Sequence, residues 1–200
     1  AVVDVGGVAK QVVFGSDSAC ALLEDGSIRC WGGVMVLGYG HMGYSPIKTI
    51  GETEPPSAVP PLDVGGKAVA LAAGAAHTCA LLEDGALRCW GKAEYGALGY
   101  GNRVDIGDDE APVKAGNVPV GGKVVQIAAA GFHTCALLDT GAVRCWGSNQ
   151  NGELGYGDTA AIGDDETPAE ADDVPRRAGC SLKTRSRLPY EANSSLANLR

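Results

Sequence analysis

Phenylalanine and methionine are scarce in this chain, at two each among 200 residues, and histidine occurs only three times. With 30 glycines and so few bulky side chains, the composition speaks against a helical bundle and for many short strands joined by tight turns. Long apolar runs are also missing: none approaches the roughly 20 residues that a helical membrane span needs. The segment begins at Ala1 with neither an initiator methionine nor a charged-then-apolar leader. Any secretion signal is therefore expected to have been removed or to lie outside it. Positive charge is short everywhere except at the end. The chain carries −8, yet from Arg176 onward six basic side chains stand against the single acid Glu191. Setting that +5 aside leaves −13 on the first 175 residues, a body that repels phosphate backbones and argues against non-specific nucleic-acid binding. The basic end also contains Ser, Asn and Pro and reads as a flexible tail.

An apolar content of 45% suffices for a core, and an internal repeat organises it. Val64-Gly65-Gly66-Lys67 returns as Val120-Gly121-Gly122-Lys123 and Cys79 as Cys135, both at an offset of 56, while Val5-Gly6-Gly7 precedes the second copy by 59. Three copies result, at about 5–63, 64–119 and 120–175, followed by the tail at 176–200. Each copy runs through an apolar stretch, a cysteine hairpin, a Leu-Gly-Tyr-Gly turn and a Pro-containing strand. Several short strands in each 50 to 60 residues is the arithmetic of a propeller blade. The expected fold is all-β: three β-propeller blades, each a four-stranded antiparallel sheet. After Val174-Pro175 the pattern breaks, as Arg176-Arg177-Ala178-Gly179-Cys180 stands where another Val-Gly-Gly-Lys is due.

The hairpin sequence sets its own register. Cys79 and Cys89 are centred on Asp84, so Leu82 faces Ala86 across the loop Glu83-Asp84-Gly85, whose final glycine suits a left-handed bulge position. Gly141 and Gly26 end the corresponding loops. This places Cys20 opposite Cys30, Cys79 opposite Cys89, and Cys135 opposite Cys145, within reach of a disulfide. Disulfides are the favoured reading and reduced structural thiols the alternative. Metal ligation fits poorly, because zinc ribbons place two to four residues between ligands where nine intervene here. Disulfides in turn point to an extracytoplasmic location. Cys180 has no counterpart and reads as an unpaired tail thiol. Both faces of the hairpin are apolar, as in a blade packed between two neighbours.

Gly74-Ala75-Ala76-His77-Thr78-Cys79-Ala80-Leu81 through Gly85 to Trp90-Gly91, then Gly96-Ala97-Leu98-Gly99-Tyr100-Gly101, resembles the regulator of chromosome condensation repeat. Gly131 to Leu137, Trp146-Gly147 and Asn149 to Gly157 match it again, while the first copy departs, with Ser18 in place of the histidine and Gly33-Val34-Met35-Val36 in place of a polar approach. The resemblance implies the unit of a seven-bladed propeller, and the cysteine-paired hairpin resembles secreted bacterial members. Three repeats of this size do not close a ring unaided, so further repeats or other copies are implied. The family's best-known member exchanges nucleotide on a small GTPase, and others are binding platforms, including one that inhibits β-lactamases. No motif here carries the exchange activity over.

The expected function is therefore a non-enzymatic protein-binding module that meets its partner through inter-strand loops. A hydrolase or lyase at the central face, and a purely structural array in a larger surface protein, are the alternatives. His77, His133, Trp31, Trp90 and Trp146 recur with the repeat and read as blade architecture. Tyr44, Tyr95, Tyr100 and Tyr156 are candidate partner anchors. No catalytic residue and no cofactor are expected. The carboxylates Asp108, Asp109, Asp164 and Asp165 are weak calcium candidates, since their spacing is that of no known calcium loop.

Overall fold

Nine strands form in the order in which the hairpins recur. The computed structural model describes residues 2–33, 49–171 and 173–174. The first sheet holds β1 (Ala9–Phe14), β2 (Ser18–Leu23) and β3 (Ile28–Gly32). The second holds β4 (Ala68–Ala73), β5 (His77–Leu82) and β6 (Leu87–Gly91). The third holds β7 (Val124–Ala130), β8 (His133–Leu138) and β9 (Val143–Gly147). Every sheet is an antiparallel meander with strands in chain order. The register read from the loop holds: Leu81 pairs with Leu87 and Cys79 with Cys89, and Leu82 N–H donates to the Ala86 carbonyl at 2.9 Å. Gly85 closes the turn at φ +89°, a backbone state that costs a side-chain-bearing residue strain.

Three strands, not four, run continuously in each sheet. The outer edge of β6 is instead completed by three separate pieces. Val118 N–H donates to the Leu87 carbonyl, the Tyr100 hydroxyl bridges the N–H and carbonyl of Cys89, and Ile106 pairs with Gly91. In the third sheet the same places are taken by Val174 on Val143, Tyr156 on Cys145 and Ile162 on Gly147. The fourth strand is thus reduced to isolated contacts. Pro61 and Pro119 flank the single ladder residues Leu62 and Val118, and a proline supplies no N–H to extend the ladder.

Neighbouring sheets meet face to face, and burial follows from that. All six residues of β5 are buried, so the middle hairpin is covered on both faces. In β8 only Thr134, Ala136 and Leu138 are buried, while His133, Cys135 and Leu137 are half-buried. The β1–β2 turn donates Ser16 N–H to the Ala75 carbonyl of the second sheet at 2.8 Å, and Ala75 N–H donates to the Gly131 carbonyl of the third at 2.7 Å. The Gln11 side-chain amide holds the Leu71 backbone by two reciprocal bonds of 2.8 Å. Among the described residues no helix is long and apolar enough to cross a membrane.

Candidate functional site

Six cysteines form the disulfides Cys20–Cys30, Cys79–Cys89 and Cys135–Cys145, each with Cα atoms 4.1 Å apart. The geometry follows from the edge just described. Because Cys89 turns its own N–H and carbonyl outward to Tyr100, it faces Cys79 as a non-hydrogen-bonded pair, the kind in which side chains come closest. No thiolate of these six remains to hold a metal. Cys180 and Tyr44 lie outside the described residues.

The junction between the second and third sheets is held by a buried polar group. His77 Nε2 lies 2.8 Å from Thr134 Oγ1, and that hydroxyl donates to the Ala97 carbonyl at 3.2 Å. With its proton so used, the threonine oxygen accepts from His77, which fixes the Nε2–H tautomer. Burial lowers the His77 pKa to about 4, helped by the nearby His133, so the ring is neutral. Trp146 Nε1 donates to the same Ala97 carbonyl at 3.0 Å. Trp90 and Trp146 are fully buried, and Trp31 is half-buried. A side chain at Gly74 would place its Cβ 2.2 Å from His77 Cε1 and 2.6 Å from the Gly131 carbonyl oxygen. Gly74→Ala is expected to destabilise the fold by about 1 to 3 kcal/mol, read from denaturant unfolding; an unchanged midpoint would show that the junction relaxes freely.

The tyrosine candidates separate by environment. Tyr100 and Tyr156 place their hydroxyls on the edges of β6 and β9, whereas Tyr95 is exposed. Tyr95 sits in the single 3-10 turn Glu94–Gly96 at φ 56° and ψ 21°, the left-handed region that a bulky residue rarely occupies. Its ring meets Phe132, in the β7–β8 turn, edge to face at 5.8 Å. The turn backbone at Gly96 runs against Gly163 and Asp164, and Arg103 pairs with Asp164 across the same junction. An aromatic pair drawn from two sheets therefore stands beside a carboxylate loop.

Two acidic triplets, Asp108-Asp109-Glu110 and Asp164-Asp165-Glu166, each hold their ligand oxygens within 4.8 Å of one another. Partial burial, and then hydrogen bonding and repulsion from the adjacent aspartate, push Glu110 and Glu166 up to about 7. Near neutral pH these triplets hold protons that a cation would have to displace. Asn149 was not singled out from the sequence, yet it is buried and organises the loop after β9. Its amide donates to the carbonyls of Asp158 and Ala160, and its oxygen accepts from Leu154 N–H. The second copy has Ala93 in its place, and there Asp105 binds Ala93 N–H and the Lys92 ammonium instead.

Disulfide-stapled antiparallel meanders packed face to face, with inner strands β1, β4 and β7 side by side, are blades of a β-propeller. A family model described as the regulator of chromosome condensation (RCC1) repeat matches residues 9–33, 68–97 and 124–153, and a second of the same description matches 84–137. The chain belongs to this repeat family. It is 32% identical over 152 residues to the ultraviolet-B receptor UVR8 of Arabidopsis thaliana, covering 74% of this chain and 31% of the receptor. To the human regulator of chromosome condensation it is 37% identical over 126 residues, covering 61% and 28%. The chain thus spans a third or less of these relatives. Among solved structures, yeast RCC1 (Prp20) bound to Kap60 superposes with a TM-score of 0.64 at 20% identity, covering 86% of this chain and 38% of that one. Human WBSCR16 gives 0.61 at 24% identity, covering 83% and 39%. These structures carry the fold alone.

Proposed function

We propose that this chain is part of a non-enzymatic propeller that binds a protein partner through the loop face where the second and third blades meet. The observation that carries the reading is Tyr95, an exposed aromatic residue in a left-handed backbone state, ring-paired with Phe132 and flanked by Asp164. Strained, exposed aromatics on loops held by a rigid scaffold are the kind of group that forms hot spots. The yeast relative bound to Kap60 supplies a precedent for partner binding on this fold. The blades are read as residues 5–63, 64–119 and 120–175, with 176–200 as a basic tail.

The three disulfides support an oxidising, extracytoplasmic compartment for the chain. The relatives above are plant, human and yeast proteins, so they bear on fold and not on a bacterial or secreted origin.

The test is affinity capture with the whole protein and its Tyr95→Ala variant from the host's own envelope and secreted proteins. A genuine partner is expected to bind the variant about 30-fold more weakly, the loss of one hot-spot side chain, while the unfolding midpoint stays put. Partners retained equally by both forms would remove this face from consideration.

A further inference from the structure

Each internal junction of the stack carries one side-chain clasp. Between the first and second blades it is Gln11, bonded to both backbone groups of Leu71; between the second and third it is His77, bonded to Thr134. The repeat places Gln11 in line with Ala70 and Gln126, and His77 in line with Ser18 and His133. The first blade therefore has the glutamine without the histidine, and the second the histidine without the glutamine. The third blade has both.

Neither is used. Gln126 is exposed and His133 half-buried, both on the half-open face of the third blade, where Leu137 pairs with Gln126. Among the described residues no hydrogen bond reaches either side chain. The backbone relay stops at the same place. Ser16 N–H donates to the Ala75 carbonyl and Ala75 N–H to the Gly131 carbonyl, which leaves the Gly131 N–H as the next donor on an exposed turn.

We infer that the open face of the third blade, through Gln126, Gly131 and His133, is a docking surface for one further blade of the same repeat type. That blade must carry a serine or threonine hydroxyl in the position of Thr134 and a small residue in the position of Ala129. The two existing junctions supply this specification. His77 needs a hydroxyl to receive its Nε2–H, and the face that meets the preceding blade has Ala73 and Ala129 opposite Thr78 and Thr134. The first blade of a second copy fails on both counts. Ala19 stands where the hydroxyl is needed, and opposite it Phe14, 70% exposed, stands where the internal junctions have alanine. The inference does not depend on the partner-binding reading, and Tyr95→Ala leaves it intact.

The test inserts a second copy of residues 119–174 directly after Val174. The insertion stays in phase, because Val118 and Val174 occupy the same edge position on Leu87 and Val143. The Gly131 amide is expected to gain at least tenfold protection from hydrogen exchange relative to the parent chain. A double-mutant cycle between His133→Ala and the inserted threonine changed to alanine should show coupling of about three- to tenfold in the unfolding constant, as expected for one buried hydrogen bond. The His77→Ala and Thr134→Ala cycle in the parent calibrates that value. An inserted blade that leaves Gly131 exchange unchanged, or a cycle without coupling, overturns the inference. Sedimentation of the parent supplies a second arm: a dimer abolished by Gln126→Ala or His133→Ala would make a second copy the occupant and refute the specification.

Discussion

Reduction of the three disulfides is expected to unfold the chain at 25 °C in buffer alone. Each bond closes a loop with a sequence separation of 10, and a chain-entropy treatment gives about 2.7 kcal/mol for a loop of that length. Together they contribute about 8 kcal/mol, while domains of this size are stable by only about 5 to 15 kcal/mol. An open stack has less burial to set against that loss, since the third blade leaves one face of β8 half-covered. Circular dichroism through a guanidinium titration, with and without reductant, measures the effect. A paired change of Cys79 and Cys89 to serine should lower the unfolding free energy by about 2 to 3 kcal/mol. A midpoint indifferent to reductant would mean that sheet packing alone holds the blades.

Acid should weaken the fold through His77. Its folded pKa of about 4 lies below the ordinary 6.5, so between these values the unfolded chain binds a proton that the folded chain refuses. The contribution is complete above pH 6.5 and is lost as pH falls toward 4, at about 1.4 kcal/mol per unit and on the order of 3 kcal/mol in all. Glu110 and Glu166 act the other way. Their pKa values are raised, so they favour the folded state below about 4.5 and lose that contribution as pH rises through 7, with solvent attenuating the effect at these largely exposed sites. The decisive quantity is therefore the difference between the parent and His77→Gln, which keeps an N–H donor but does not titrate. Their stabilities should diverge with that slope between pH 6.5 and 4. Parallel curves would show that His77 is protonated in place.

Hairpins and cysteine pairing were legible because a period of two and a glycine-ended loop admit one register, repeated three times. The outer edge was not, because no fourth run of alternating residues exists to be read. Its ladder bonds come from Val118, the Tyr100 hydroxyl and Ile106, spread over 19 residues of turns. Tyr100 and Tyr156 stood out as recurrent, but a phenol capping a strand edge leaves no periodic signal. The junction clasps were hidden for a different reason. Gln11 and His77 perform equivalent tasks from different places in the repeat, so superposing the copies averages them away. Tyr95 was recognisable as an aromatic loop residue. Its distinction from Tyr100 rests on Phe132, a neighbour 37 positions along the chain.

The turn-to-turn relay gives the stack a polarity. Every junction joins a donor turn on one blade to an acceptor turn on the next, so the two faces of a blade are complementary rather than alike. Such a contact is heterologous: a twofold axis would set donor against donor, so this surface cannot build a symmetric dimer. Units joined in this way form a line with two chemically different ends, or a circle with none.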